Sequence, residues 1–316
     1  LVIVFPAYNE EKTIAFVVKD TPKNIDGIGQ IQCLVINDGS TDKTEVMALQ
    51  AGALVVSHDR NKGLGRTFKT GVEEALKMEA DIMVNIDGDG QFNPRDIPKL
   101  IKPIIENRVD FVTASRFIDK NRLPQNMSRT KIWGNKKVSW LISWLARRKF
   151  YDVSCGFRAY NREALLSLNL FGDFTYTQET FLDLSFKGLR IEEVPVEVTY
   201  FKERESRVAK NLFIYAWQIL KIIFKTFRDY QPLRFFGGLG GLIFVVGLIL
   251  DVFILVHYLN MGGFTPFKSY AFVGGFLNLT GLGLFILGLV TDMLNRIRIN
   301  QEKLLFYAKK KYYERR

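Results

Sequence analysis

A chain of 316 residues that is 47% hydrophobic and 24% charged is too apolar to be disordered and too charged to be embedded uniformly in a membrane. Its net charge of +11 favours an anionic partner, which can be a nucleic acid, a nucleotide or an anionic membrane face. Two cysteines, Cys33 and Cys155, are too few for a disulfide framework and indicate a reducing compartment.

Apolar runs alternate with helical segments along the first part of the chain. Each run is continuous, which is typical of a strand buried on both faces, and strands separated by helices predict a mostly parallel sheet covered on both sides. The predicted fold class is therefore α/β. Strands are predicted at residues 1–5, 32–36, 53–57, 82–86 and 111–114, with helices at about 12–20 and 63–77.

Polar residues follow three of these strands, at 8–10, at Asp38 and at 87–91. Ligands of such sheets bind outside the carboxyl ends of the strands. The sequence therefore predicts a single crevice that all three polar segments line.

The segment at 86–91 places two carboxylates, Asp87 and Asp89, at alternate positions and follows them with Gln91. Carboxylates with this spacing at the end of a strand can converge on a hard divalent cation, and an amide oxygen can add a further ligand. A cation held there can neutralise a diphosphate leaving group. The alternative is an ordinary Asp-Gly turn that closes a hairpin.

The segment at 128–150 combines three tryptophans, Trp133, Trp140 and Trp144, with seven lysines and arginines. A basic helix of this kind suits a membrane interface, where indoles lie at the level of the headgroups and cations meet anionic lipids. The alternative is an amphipathic helix that packs against its own domain. A second helix of this kind is predicted at about 212–228.

Two strongly apolar stretches, at 235–256 and 271–290, each have about the ~20 residues that a membrane crossing needs. The tail at 295–316 carries eight lysines and arginines against two glutamates. The positive-inside rule therefore places this tail and the N-terminal domain in the cytoplasm. A buried hairpin of a soluble protein is the alternative.

Several common sites are missing from the sequence. Gly63 and Gly65 lack the third glycine of a dinucleotide fingerprint, and no GxxxxGK[ST] phosphate loop occurs. The two histidines, His58 and His257, have no zinc-site spacing, and there is no nucleophile elbow. What remains is a metal bound by oxygen ligands, which normally shares its coordination with substrate phosphates.

In order and spacing, the polar segments resemble glycosyltransferase family 2, and within it the polyprenyl-phosphate (dolichol-phosphate-type) sugar transferases. The resemblance is carried by residues 6–10 (PAYNE), 38–42 (DGSTD), 61–65 (NKGLG), 87–91 (DGDGQ), 115–116, 152–158 (DVSCGFR), and Arg204 with Lys210. It implies a GT-A (nucleotide-diphospho-sugar transferase) fold with a C-terminal two-helix transmembrane hairpin. The expected organisation is a cytosolic catalytic domain at 1–210, a juxtamembrane amphipathic helix at 211–232, two transmembrane helices at 233–294 and a basic cytoplasmic tail at 295–316.

The resemblance also implies a donor site. The residues expected to bind the nucleotide sugar are Pro6, Tyr8, Glu10, Ile36, Asp38, Asp87, Gly88, Asp89, Arg116, Arg204 and Lys210. The residues expected to hold Mg²⁺ or Mn²⁺ are Asp87, Asp89 and Gln91. The chain departs from the family pattern at 205–210, where a glycine- and serine-rich stretch is usual, so Arg207 can share or replace the role of Lys210.

For the reaction itself, the resemblance implies Asp89, Arg116 and Asp152 as catalytic residues and Arg129 as the contact for the acceptor phosphate. Asp152 is a candidate base or sugar-binding carboxylate, with a helix N-cap as the alternative. For each arginine or lysine the alternative is a solvated surface charge.

The function implied is inverting transfer of a hexose, from a donor of the GDP-mannose or UDP-glucose type, to a polyprenyl or dolichyl monophosphate at the cytoplasmic membrane face. The expected partners are the donor, the lipid acceptor and the membrane, with no nucleic acid, and a homo-oligomer is left open. The alternatives are a family member with a polysaccharide or glycolipid acceptor and a catalytically inactive lipid-binding membrane protein.

Overall fold

The computed structural model describes residues 1–119, 127–170, 176–199 and 212–314. Within these ranges the strands are β1 (Val2–Ala7), β2 (Gln32–Asn37), β3 (Leu54–Ser57), β4 (Ile82–Asn85), β5 (Phe111–Ser115), β6 (Arg158–Asn161) and β7 (Ile191–Pro195). The helices are α1 (Ile14–Lys19), α2 (Thr44–Gln50), α3 (Leu64–Lys77), α4 (Ile97–Ile105), α5 (Arg129–Ala146), α6 (Arg162–Ser167), α7 (Thr177–Phe186), α8 (Leu212–Tyr230), α9 (Pro232–Met261) and α10 (Lys268–Glu314).

The strands form one sheet in the order β3-β2-β1-β4-β6-β5-β7. Four of its six pairings are parallel, which confirms the mostly parallel sheet, and only the pairings made by β6 are antiparallel. The chain adds β2 on one side of β1 and β4 on the other, so the strand order reverses at β1. Ligands of open α/β sheets bind beside such a reversal point.

Both faces of the central strands are covered, because every residue of β1, β4 and β5 is buried. Ile3 and Phe5 belong to an apolar cluster on the face that α1 and α4 cover. On the other face, a Cβ added to Gly71 of α3 would lie only 2.7 Å from Cγ1 of Val4, so this glycine allows the helix to lie close to the sheet.

The helix α5 has two different faces. Ser139, Ile142 and Leu145 are buried, whereas the side chains of Trp133, Trp140 and Trp144 are 65%, 66% and 61% exposed. The helix therefore packs on its own domain by one face and leaves the tryptophans outside.

The chain divides into two compact units, Leu1–Ile223 with Leu305–Arg316, and Phe224–Leu304. The four segments expected from the sequence stay a prediction. In the second unit, α9 and α10 contain stretches long and apolar enough to cross a membrane. Their buried glycines recur every seven residues and face one another, since a Cβ at Gly240 would lie 2.6 Å from the carbonyl oxygen of Gly281, and one at Gly247 would lie 2.8 Å from that of Gly274.

Candidate active site

The polar segments that follow β1, β2 and β4 lie together at the reversal point of the sheet. The backbone N–H of Asp38 donates to the carbonyl of Ala7 at 2.8 Å, and that of Gly88 donates to the carbonyl of Pro6 at 3.4 Å. The Thr13 hydroxyl donates to the carbonyl of Gly88 at 2.9 Å, which joins the start of α1 to the loop after β4. These bonds hold the ends of the three strands beside one another.

The carboxylates of Asp87, Asp89 and Glu10 act on one another at these strand ends. Burial raises the pKa of Asp87 to about 7, with the negative charges of Asp89 and Glu10 acting in the same direction and the guanidinium groups of Arg158 and Arg116 opposing them. Burial is the larger cause and the two neighbouring carboxylates add to it, so the surroundings of Asp87 disfavour its negative charge.

Asp87 is also enclosed by backbone. A Cβ added to Gly156 would lie 2.9 Å from Oδ2 of Asp87, so a larger residue at position 156 would displace this carboxylate. Asp89 accepts a hydrogen bond at Oδ1 from the backbone N–H of Gln91, at 3.0 Å.

These residues fit a hard divalent cation, because two carboxylates and an amide offer only oxygen ligands at the end of a strand. Among the described residues no three His, Cys, Asp or Glu side chains converge as a complete metal site. The cation would therefore take further ligands from substrate phosphates, which is how Mg²⁺ is usually held in enzymes of phosphate compounds.

Asp38 is buried and holds a neighbouring loop in place. Its Oδ1 accepts hydrogen bonds from Nδ1 of His58 at 2.7 Å and from the backbone N–H of Lys62 at 2.9 Å. Its Oδ2 accepts from the backbone N–H of Gly63, also at 2.9 Å. The next residue, Gly39, has a φ of 68°, and a Cβ there would overlap the backbone of Arg60. A contact between Asp38 and a nucleotide stays a prediction.

The other residues expected to bind the nucleotide sugar differ in the groups that they can offer to a ligand. Pro6 and Ile36 are register partners in β1 and β2, and both side chains are buried. They can line the crevice only by their backbone. Tyr8 and Glu10 are half-buried in the loop after β1, where the N–H of Glu10 donates to the Thr44 hydroxyl at 2.7 Å.

Arg116 and Asp152 form a buried ion pair. Nε and Nη2 of Arg116 donate to the two oxygens of Asp152 at 2.6 and 2.8 Å, and the backbone N–H of Arg116 adds a third bond at 3.1 Å. The side chain of Asp152 is 0% exposed and that of Arg116 is 10% exposed. This carboxylate is fully engaged by a guanidinium. The geometry therefore favours a role for Asp152 in positioning Arg116, and not a role as a general base.

The N-cap alternative for Asp152 is wrong, since Asp152 precedes no helix. Instead, its Oδ1 accepts from the backbone N–H of Ser154 at 3.3 Å, in the turn before β6.

Arg116 also lines a cavity of about 840 Å³. The lining of this cavity includes Gln91 but neither Asp38 nor Asp87.

The loop at 151–156 is held by residues to which the sequence assigned no role. Arg158, fully buried, donates to the carbonyls of Cys155 at 2.8 Å and Val153 at 3.0 Å. The carboxylate of Glu193 accepts from the backbone N–H groups of Tyr151 and Asp152, both at 2.8 Å. Burial raises the pKa of Glu193, while these two hydrogen bonds act in the opposite direction.

Sequence reasoning missed three residues, His58, Arg158 and Glu193. Arg158 lies in the quoted segment 152–158, and His58 is one of only two histidines, so both carried a signal that could have drawn attention. Glu193 carried none. Of the remaining predictions, Arg129 is exposed at the first turn of α5, and Arg204, Arg207 and Lys210 lie outside the described residues.

The fold is of the GT-A class, as expected. The chain resembles the crystal structure of glucosyl-3-phosphoglycerate synthase from Mycobacterium tuberculosis in complex with Mn²⁺, UDP-glucose and phosphoglyceric acid, with a TM-score of 0.57 and 23% identity. The match covers 72% of this chain and 79% of that one.

Residues 2–168 match the family described as Glycosyl transferase family 2, and the chain belongs to that family. It is 32% identical to the UDP-N-acetylglucosamine–dolichyl-phosphate N-acetylglucosaminyltransferase of Methanococcus voltae, over 65% of this chain and 88% of that protein. It is 26% identical to the undecaprenyl-phosphate 4-deoxy-4-formamido-L-arabinose transferase of Proteus mirabilis, over 96% of this chain and 93% of that protein. The family predicted from the motifs is confirmed.

Proposed function

We propose that the chain transfers a hexose from a nucleotide-diphospho-sugar to a polyprenyl or dolichyl monophosphate at the cytoplasmic face of a membrane, with inversion at the anomeric carbon. The observation that carries this proposal is the position of the loop with Asp87, Asp89 and Gln91, which follows β4 at the reversal point of the sheet, where the charge of Arg116 acts on Asp87. The relatives in Methanococcus voltae and Proteus mirabilis, both named for lipid-phosphate acceptors, support the choice of acceptor.

The acceptor explains why the site needs no general base. A phosphate monoester has a second pKa near ~6, so at neutral pH it is largely a dianion. One of its oxygens forms the new bond to the anomeric carbon while the bond from that carbon to the β-phosphate oxygen breaks. The electron pair leaves with the nucleoside diphosphate, and a single displacement of this kind inverts the configuration.

The protein's tasks are then orientation and charge neutralisation. Asp87, Asp89 and Gln91 would hold Mg²⁺ or Mn²⁺, which would supply positive charge for the leaving diphosphate. Arg116 is aimed by Asp152, and a guanidinium in a fixed orientation can bind phosphate oxygens through two parallel hydrogen bonds.

Three features of the chain support an association with the membrane. The apolar stretches of α9 and α10 support insertion in a bilayer, and the charge of the tail supports a cytoplasmic catalytic domain. The exposed tryptophan face of α5 has the composition of an interfacial helix. Arg129 begins this helix, and we propose that it contacts the acceptor phosphate.

The test uses the full-length protein in detergent with polyprenyl phosphate, Mn²⁺ and a panel of radiolabelled UDP- and GDP-sugars. The wild-type protein should transfer label from one donor class into lipid, and this result also identifies the base. Asp89→Ala should abolish transfer, whereas Asp26→Ala, at an exposed turn, should retain it. Wild-type rates in the Asp89→Ala variant would refute the metal assignment. Transfer only to a glycolipid or polysaccharide acceptor would refute the acceptor, and no transfer at all would refute the reaction.

A further inference from the structure

We propose that Glu193 is a positioning residue for sugar transfer, because its carboxylate fixes the backbone that carries Asp152, and Asp152 in turn aims Arg116. The proposal rests on the proposed function in one respect, since it takes Arg116 to contact the diphosphate of the donor.

Glu193 grips two consecutive peptide groups. Its Oε2 accepts the N–H of Tyr151 and its Oε1 accepts the N–H of Asp152, each at 2.8 Å. Hydrogen bonds to a carboxylate are shorter and stronger than those between neutral groups. Both oxygens of one rigid carboxylate are used, so the two peptide groups are fixed in direction as well as in distance.

The contacts among Glu193, Asp152 and Arg116 form a closed circuit. Asp152 binds Arg116 through three hydrogen bonds, and Arg116 follows directly after β5. The strand β5 pairs with β7 in parallel, with Thr113 opposite Glu193 and Ser115 opposite Pro195. Glu193 and Arg116 thus start from neighbouring strands and are joined a second time through Asp152, which leaves the guanidinium little freedom.

Other contacts hold the far side of the same loop. Ser139 of α5 accepts the N–H of Val153 at 3.3 Å, and Arg158 binds the carbonyls of Val153 and Cys155. The loop therefore retains anchors when Glu193 is changed. Removal of Glu193 releases chiefly the peptide groups of Tyr151 and Asp152, which are the ones that set the direction of the Asp152 side chain.

The chain supplies a matched control next to Glu193. Glu192 on the same strand has a side chain that is 34% exposed, and it pairs with Arg108 at 2.9 Å instead of binding the loop. Glu192→Gln makes the same chemical change one residue away without touching Tyr151 or Asp152.

The experiment compares Glu193→Gln with Glu192→Gln in the full-length protein, by steady-state transfer kinetics and by hydrogen exchange followed with mass spectrometry. In Glu193→Gln an amide NH₂ replaces one acceptor oxygen and faces a backbone N–H. We expect faster exchange in the segment 150–156, unchanged exchange in β1 and β4, and a kcat lowered by roughly ten- to a hundredfold at a similar KM for the donor. Glu192→Gln should match the wild type in all of these.

A double variant distinguishes a positioning role of Glu193 from a general loss of structure. If Glu193 acts only through Asp152, Glu193→Gln should lower kcat no further in an Asp152→Asn background. An additive loss in the double variant would overturn the proposal, as would wild-type turnover by Glu193→Gln while Asp89→Ala is inactive. If Glu193→Gln does not fold, Glu193→Asp, which keeps the charge but shortens the reach, should show the same pattern to a smaller degree.

Failure of the proposed function gives a different result. In that case the wild-type protein transfers no sugar, and hydrogen exchange alone decides whether Glu193 fixes the loop. Equal exchange at 150–156 in Glu193→Gln and Glu192→Gln would overturn the proposal whatever the activity.

Discussion

Arg158 is a cation that lies entirely inside the protein. Its guanidinium lies 5.6, 5.5 and 4.9 Å from the ring centroids of Phe111, Tyr176 and Phe181. Cation–π contacts of this kind partly replace the lost hydration. Nε and Nη2 donate to two loop carbonyls, so the charge is used to hold the loop that supports Asp87 and Asp152.

Replacement of Arg158 should therefore be costly. Arg158→Met keeps most of the volume but leaves the carbonyls of Val153 and Cys155 without this donor, and we expect the free energy of unfolding to fall by about 2–4 kcal/mol. Thermal unfolding in detergent, followed by near-ultraviolet circular dichroism, measures the change. Arg95→Met removes an exposed cation paired with Asp20 and should change the midpoint little. Equal midpoints for the two variants would contradict this assignment.

At the scale of single residues, the sequence predicts those sites whose residues lie close together along the chain. Asp87, Asp89 and Gln91 follow one another closely, so the sequence alone is enough to infer their common site. Glu193 stands 41 residues from Asp152, and only the pairing of β5 with β7 brings the two together. The hydrogen bonds that fill the Asp38 carboxylate come from a segment 20 to 25 residues away and depend in the same way on the fold.

At the scale of elements, Asp110 ties three strands together. It lies just before β5, accepts from Nδ2 of Asn161 at the end of β6, and accepts from the backbone and guanidinium of Arg190 just before β7. Burial acts to raise the pKa of Asp110, but the hydrogen bonds from Arg190 and Asn161 outweigh it and hold the pKa below its ordinary value.

This shift has a definite sign in stability. The unfolded chain binds a proton at the ordinary aspartate pKa of ~3.9, and the folded chain binds it only at a lower pH. The stability that Asp110 contributes is thus present above about pH 4 and is lost as the pH falls through the lower, folded-state pKa. Asp110→Asn should be less stable than the wild type at pH 7, and the gap should narrow below pH ~4. Thermal unfolding midpoints across this range test it, and a constant gap would contradict it.

The elements themselves were predicted unevenly, for a physical reason. The strands β1, β2, β4 and β5 are continuous apolar runs because both of their faces are covered, and such runs are visible in the sequence. The strands β6 and β7 were not predicted. Their sequences, RAYN and IEEVP, carry the charged residues Arg158, Glu192 and Glu193 among the apolar ones, so neither has the signature of a buried strand.

At the scale of the whole molecule, the length of α10 exceeds what a bilayer can cover. With 47 residues and a rise of about 1.5 Å per residue, this helix extends about 70 Å, against a hydrocarbon core of ~30 Å. Apart from Lys268 at its first position, its basic residues begin with Arg296 and Arg298 in the C-terminal part. The apolar stretch and the basic tail that the sequence separates, as far as Glu314, are therefore parts of a single helix.

The contact between α9 and α10 gives a test with an internal control. A Cβ at Gly281 would lie 2.7 Å from the carbonyl oxygen of Gly240, whereas a Cβ at Gly283 has no neighbour within 4 Å. Gly281→Ala should destabilise the helix pair by about 1–3 kcal/mol, because the backbones must move apart. Gly283→Ala adds the same methyl group two residues away and should be neutral. Cross-linking between engineered cysteines on the two helices measures the change, and equal yields would contradict the close packing.

The glycines at 240 and 247, and at 274, 281 and 288, follow a seven-residue repeat. Seven residues are close to two helical turns, so each series lies on one side of its helix. The contact is consequently sensitive to insertions. One extra residue between Gly240 and Gly247 would rotate the second glycine by about 100° and place a bulky side chain against the partner helix. A seven-residue insertion would keep both glycines on the same face of the helix, so the hairpin should tolerate changes in length in whole repeats better than single added residues.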